Sequence, residues 1–252
     1  EDLSGCDLTG ADLTGLDLSS ADLTGATLTG ATLAGADLTS ATLAGVISGS
    51  LTGTPTALPT DWVLVNNYLA GPAANLTAAT LSGADLTNVN LSAANLTGAT
   101  LTGATLTNTD LSSATLRRVV SGSLTGTPTA LPTNWSLVQG YLVGPEADLS
   151  GAQLAGAALS GQDLAGATAP GIVLTGAGLV GTDFTGATLT DALVGGADLS
   201  AANLTSADLT GALLTGSTVA GADFTSATLT RLKACTVGGV PVALPTPWSL
   251  VA

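Results

Sequence analysis

The chain has no histidine and no methionine in its 252 residues, and only four lysines and arginines against 18 aspartates and glutamates. Without histidine, the commonest general base and metal ligand near neutral pH is missing. The net charge of −14 disfavours nucleic acid, whose binding rests on Lys and Arg contacts to phosphate, and anionic lipid for the same reason. Aromatic residues are 3% and charged residues 9%, against roughly 25% charged in ordinary soluble domains. Disorder requires low hydrophobicity together with high charge, and neither holds here. No apolar run approaches the ~20 residues of a membrane-spanning helix, because Thr, Gly and Asp interrupt the apolar positions. Cys6 and Cys235 are the two cysteines, and they match no metal or redox spacing. The chain has no initiating Met and no signal peptide, which reads as a processed chain or an excised segment.

What is present is a period of five. The chain opens EDLSG, CDLTG, ADLTG, LDLSS, ADLTG, ATLTG, ATLAG, with Leu at every central position from Leu3 to Leu43 and, in most of them, a small residue two places earlier. Five fits neither a 3.6-residue helix nor a two-residue strand alternation. It fits an extended step, a corner and a repeat, with Leu and Ala inward and the other three positions facing water. Thr favours the extended backbone and Gly the corner. Leu8, Leu28, Leu86, Leu106, Leu164, Phe184, Leu204 and Phe224 are therefore expected in a continuous core.

These fives resemble the pentapeptide-repeat family, whose consensus A(D/N)LXX is matched across most of the chain. The resemblance implies an all-β fold, a right-handed quadrilateral β-helix with about 20 residues per turn and coils stacked at ~4.8 Å.

A longer element breaks the ladder three times: LTGTPTALPTDWVLVNNYLAGP from Leu51, LTGTPTALPTNWSLVQGYLVGP from Leu124, and VGGVPVALPTPWSLVA at the end. The reading is one solenoid over 1–252, with repeat blocks 1–45, 74–118 and 147–231 and insertions 46–73, 119–146 and 232–252. Leu43 to Leu76 and Leu116 to Leu149 both span 33 residues, and the intervening ladders are multiples of 20, so every insertion is expected on the same face. Each reads as a hairpin, or an irregular coil plus a loop, with a Pro-containing turn between β-like stretches near Gly45–Thr52 and Trp62–Leu69. Trp62, Tyr68, Trp135, Tyr141 and Trp248 anchor the insertions or present a sugar-stacking or partner site. All four basic residues, Arg117, Arg118, Arg231 and Lys233, stand where an insertion begins.

Catalysis needs a nucleophile beside a base, a metal cluster, or carboxylates with shifted pKa. No Ser or Thr has His or Lys beside it, and no phosphate loop opens a helix. The expectation is no enzyme, no catalytic or metal site, and no cofactor.

The acids are nonetheless ordered. Taken as one face, Asp17, Asp37, Asn90, Asp110, Asp163, Asp183, Asn203 and Asp223 form a ladder. They either cap corner N–H groups, bind Ca²⁺, or make an acidic partner stripe. Another face runs from Asp7, Thr27, Thr80 and Thr100 to Val173, Leu193 and Leu213, where an apolar strip is a candidate interface or lies under an insertion. Thr-Leu-Thr steps such as those at Thr27, Thr100 and Thr188 resemble ice-binding solenoids but fall on three faces.

The ends read as uncapped and in register, with Ala252 aligned on Asn66. That favours head-to-tail stacking into a filament, with Cys6 and Cys235 near a shared junction; the other reading is a fragment of a longer repetitive protein. The functional expectation is a non-enzymatic structural or scaffold protein, exported to the cell surface or outside it, and self-assembling. It has no nucleic-acid partner and no membrane insertion, and takes a protein or glycan partner if any. The resemblance supplies an alternative, a cytoplasmic DNA-mimicking protein that acts on gyrase. A glycan-binding module using the insertion Trp residues is the third.

Overall fold

The computed structural model describes residues 1–249. The described residues fall into two compact units. One comprises Glu1–Val119 with Leu124–Thr133; the other comprises Val120–Ser123 with the residues from Asn134 onward. Each is a stack of square coils with no helix, the right-handed quadrilateral β-helix.

One side of a coil is a single pentapeptide, and its residues have fixed tasks. The residue before the central Leu forms a parallel bridge to the residue 20 positions away: Asp2 with Asp22, Asp7 with Thr27, Asp12 with Thr32, Asp17 with Asp37. Around it the ladder bonds alternate, as in Asp22 N–H to Glu1 O at 2.8 Å and Leu3 N–H to Asp22 O at 2.7 Å. The corner is a four-residue turn closed by Cys6 N–H on Leu3 O, with Gly5 at φ 64°. That left-handed conformation suits Gly, but Ser20, Asn88 and Ala93 also adopt it, because ladder bonds above and below hold each corner.

The central Leu and the small residue two places earlier fill the interior. Leu28, Leu86 and Leu106 are fully buried, and Leu164, Phe184, Leu204 and Phe224 nearly so, whereas Leu8 in the first coil is half-buried. Thr109, Thr182 and Ser217 stand in the inward small-residue position. Each hydroxyl donates to a carbonyl of the coil before, those of Leu86, Leu159 and Val194, at 2.8 Å. Among the described residues no buried side-chain nitrogen or oxygen lacks a partner.

The insertions differ from the expectation in three ways. First, most of each is ordinary coil. Ile47, Thr52 and Ala57 continue the columns of Thr27, Thr32 and Asp37, and Lys233, Gly238 and Ala243 continue those of Leu213, Thr218 and Asp223. Second, the hairpin is shorter and later than the Pro-containing turn suggests. Strand β1 (Val63–Val65) pairs antiparallel with β2 (Tyr68–Ala70), and β3 (Ser136–Val138) with β4 (Tyr141–Val143). The two-residue turns are Asn66–Asn67 and Gln139–Gly140, all at positive φ, the turn whose twist matches that of the strands. Third, the register moves. Asn75 bridges Ile47 at a separation of 28 residues instead of 20, so a hairpin lengthens its coil by eight. The 33-residue spacing spans that excursion plus one further side, and the pentapeptides resume one side on rather than on the same face. In the second unit Val120 and Asp148 repeat the 28-residue step. Of the third insertion, Leu250–Ala252 lie outside the described residues, and so does the alignment of Ala252 on Asn66.

Candidate functional site

The outer surface is built from three features: the corner acids, the two hairpins and the outward columns.

The corner acids turn back on their own chain. Asp7 Oδ1 accepts from Thr9 N–H at 3.0 Å, Asp37 from Thr39 N–H at 2.8 Å, Asp110 from Ser112 N–H at 2.8 Å and Asp223 from Thr225 N–H at 2.8 Å. Asn90 and Asn203 accept in the same way at 3.0 and 3.1 Å. These are the corner-capping bonds, and they explain why Asp and Asn interchange at this position. The hydroxyls two residues along, with the amides second, hold Asp2, Asp7, Asp12, Asp17, Asp22, Asp85, Asp198 and Asp223 below the ordinary aspartate range. At Asp22 the neighbouring charge of Asp2 opposes the shift and is the smallest of its causes.

The acids do not form one continuous ladder. In the first unit Asp17, Asp37 and Ala57 make one column and Asn90, Asp110 and Ala130 another. The second lies three sides on from Asn75, hence on the side of Thr42, not of Asp37. In the second unit Asp163, Asp183, Asn203, Asp223 and Ala243 form a column of their own. Among the described residues no three His, Cys, Asp or Glu side chains converge as a metal site.

Each hairpin is held by the same constellation, 73 residues apart in sequence. Tyr68 OH accepts from Thr80 N–H and Tyr141 OH from Gln153 N–H, both at 3.1 Å. Ser48 Oγ accepts from Leu69 N–H and Ser121 Oγ from Leu142 N–H, both at 2.9 Å and buried. Leu51 N–H donates to Asn67 O, and Asn66 Nδ2 to Ser82 O. The first hairpin is thus wedged between the strand of Thr52 and the strand of Thr80, and the tyrosine hydroxyl takes over a ladder bond. Trp62 lies on Gly71 and Trp135 on Gly144. Trp62 is buried and Trp135 half-buried, while Trp248 is 46% exposed. Ser48 and Ser121, both buried, are not separable by pattern from the other serines of the chain, since only the wedge gives them a role.

The model of pentapeptide repeats (8 copies) matches residues 2–39, 17–47, 74–112, 147–191 and 195–231. The chain belongs to the pentapeptide-repeat family. No curated protein sequence matches it. Among solved structures, it is similar to HetL, a pentapeptide repeat protein involved in heterocyst differentiation regulation from the cyanobacterium Nostoc: 25% identity, over 94% of this chain and 84% of that one, with a TM-score of 0.34. A pentapeptide repeat protein of the Arabidopsis thaliana thylakoid lumen is 30% identical over 36% of this chain and 59% of its own, with a TM-score of 0.30. QnrB1, a plasmid-mediated fluoroquinolone resistance protein, is 15% identical over 92% of this chain and 86% of its own, with a TM-score of 0.23. At these scores the likenesses carry no argument about function.

In this pentapeptide-repeat protein the remaining expected residues are placed as follows. Val173, Leu193 and Leu213 bridge one another in a single outward column, with Leu193 42% exposed. Their column begins at Gln153, beside the second hairpin, and among the described residues no hairpin covers Leu193. Cys6 is half-buried and Cys235 exposed, and both are free thiols. No helix among the described residues is long and apolar enough to cross a membrane.

Two measurements bear on these sites. Because the folded aspartates titrate below their unfolded value of about 3.9, their contribution is complete above that pH and is lost as pH falls through the lower folded values. Melting temperature is therefore expected to be flat from about pH 7 to 5 and to drop below about pH 4. Replacing Asp2, Asp7, Asp12, Asp17 and Asp22 by Asn, the residue that caps at Asn75 and Asn90, is expected to blunt the drop. A rise in stability on acidification contradicts the capping account and makes charge repulsion the larger effect. Separately, Ser48→Ala leaves the buried Leu69 N–H without its acceptor and is expected to cost about 1–3 kcal/mol in chemical denaturation. Tyr68→Phe is expected to cost less, since Thr80 N–H is exposed and water replaces the phenol.

Proposed function

We propose that the protein is a non-enzymatic structural scaffold, exported from the cell and associating with copies of itself. The observation that carries the reading is how the polar groups are used. Corner carboxylates cap their own backbone, and the hydroxyls inside the coils bind the neighbouring coil. What such a protein offers a partner is a rigid, regularly spaced surface. The hairpins, held by buried bonds, add fixed relief to it. Export suits the single lysine and the two free thiols, which an oxidising compartment can pair between copies.

Light scattering of the purified chain at up to about 1 mM, with and without reductant, tests this. Assembled species are expected, and isolated copies under every condition overturn the self-associating part. A nucleophilic or redox activity abolished by one substitution overturns the non-enzymatic part.

The charge of −14 favours a second reading, a mimic of duplex DNA that occupies a DNA-binding enzyme such as gyrase. The hairpins wedged into the stack break the even coil spacing that weighs in favour of a duplex-like surface. Supercoiling by gyrase is expected to be unaffected at micromolar protein, and inhibition there makes the mimic the better reading. Glycan binding has less support, because the Trp62 indole is buried on Gly71.

A further inference from the structure

In the second unit the bridges run from Gln153 to Val173, Leu193, Leu213 and Lys233, so five outward side chains stand in one column. Each of the other three columns carries carboxylates: Asp148 and Asp208 in one, Asp198 in the next, and Asp163, Asp183 and Asp223 in the last. This column has none. The residues two places further along each strand are Ala155, Thr175, Gly195, Thr215 and Cys235, all uncharged and none large. Leu193 is well exposed, and Val173 and Leu213 are half-buried on either side of it.

Two copies of a chain with a net charge of −14 that approach by any other side of this unit bring aspartates together. By this side they bring apolar surface together. The order of the column also suits a second copy. Leu193 is its centre, so a two-fold axis through Leu193 and along the strand lays Val173 on the partner copy's Leu213. It lays Lys233 on Gln153 of the other copy, whose carboxamide oxygen accepts from an ammonium. The same rotation brings Arg231, on the corner beside Lys233, toward the strand end near Asp148. The cationic end of one strip thus meets the uncharged Gln153 end of the other, with Asp148 on the side that precedes it.

We propose that this column is the contact through which two copies of the chain associate, as an isologous pair about Leu193. The proposal rests on the self-associating reading above and assigns it a surface. Five strands ~4.8 Å apart make a strip about 19 Å long, small beside the ~800 Å² per partner of a stable complex. Association is therefore weak and visible at high micromolar concentration. Asp191, on the corner beside Leu193, comes near its own symmetry mate, so Asp191→Asn tightens the pair.

Sedimentation of the full chain from about 10 μM to about 1 mM, with variants, tests this. The unaltered chain is expected to dimerise with concentration. Leu193→Asp and Leu193→Thr are expected to weaken dimerisation tenfold or more. Val240→Asp, at a residue 75% exposed on the adjacent side, is expected to leave it unchanged. Asp and Thr occupy the same outward position at Asp198 and Thr188, so both Leu193 variants keep the fold, which circular dichroism verifies. Dimerisation that survives in the Leu193 variants overturns the strip and leaves self-association standing through another surface. A chain that stays monomeric throughout overturns both.

Discussion

Phe184→Ala is expected to lower the stability of the second unit by about 3–5 kcal/mol. Phe184 is 2% exposed and stacks in an inner column between Leu164 and Leu204, one coil away on either side. The cost of such a truncation depends on how far the surroundings close over the space, and here they are held apart. Asp183 N–H donates to Gln162 O at 2.9 Å and Phe184 N–H to Asn203 O at 2.7 Å, so ladder bonds fix the backbone of the coils above and below. A β-helix cannot shorten one rung without breaking those bonds, which places the loss toward the upper end. Phe224→Ala is expected to cost less, because Phe224 already lines an apolar cavity of about 50 Å³ with Leu229, Leu232 and Val237. Denaturant titration followed by far-ultraviolet circular dichroism gives both values. A loss under about 1 kcal/mol at Phe184 contradicts the tightly held interior.

Gly71→Ala is expected to expel the Trp62 indole and loosen the first hairpin, at a cost of about 3–5 kcal/mol, comparable to truncating a buried Trp. A Cβ at Gly71 falls 2.3 Å from Trp62 Cδ2 and 2.6 Å from Cε2, well inside contact distance. Gly71 is not among the positive-φ residues, so the strain is steric and not conformational. The ring is buried with the rigid coil beneath it, so the clash cannot be relieved by a flexible chain end. Trp62 fluorescence, read in a background with Trp135→Phe and Trp248→Phe, is expected to shift to the red as the ring enters water. Adding Trp62→Leu should recover much of the loss, the non-additivity expected of residues in contact. An unshifted spectrum with unchanged stability sinks the assignment of Gly71 as the seat of Trp62. Gly144 and Trp135 repeat the geometry, with 2.3 Å to Trp135 Cδ2.

Much of the architecture is legible because its period is strict. Leu28, Leu86, Phe184 and Leu204 can be assigned to the interior from the five-residue spacing, since a side chain that recurs at every corner-to-corner step must point one way. The capping role of Asp and Asn is legible for a similar reason, since both share the one acceptor oxygen that the amide two residues on requires. The insertions are less transparent. Ile47, Thr52 and Ala57 keep their places in the coil, but LTGTPTALPT lacks the small-residue and Asp/Asn markers, so a run of coil reads as an appendage. The hairpin turns at Asn66–Asn67 and Gln139–Gly140 carry a recognisable signal, hidden by the stronger Pro signals before them.

The coil, its interior and its corners follow from the order of residues alone, because they depend only on residues five apart and on bonds that every pentapeptide makes alike. Which residues stack on which is visible only once the coils are folded together. The eight residues of each hairpin are wedged between coils, and in the first unit the wedge moves the pentapeptides that follow it one side on. That shift separates Asp37 from Asn90. In the second unit, which side chains share an outward column is likewise set by bridging between coils, so Val173, Leu193 and Leu213 meet on one side free of aspartate. The physical reason is that a period constrains a residue's orientation within its own coil, whereas its neighbours above and below depend on the total length of chain between them.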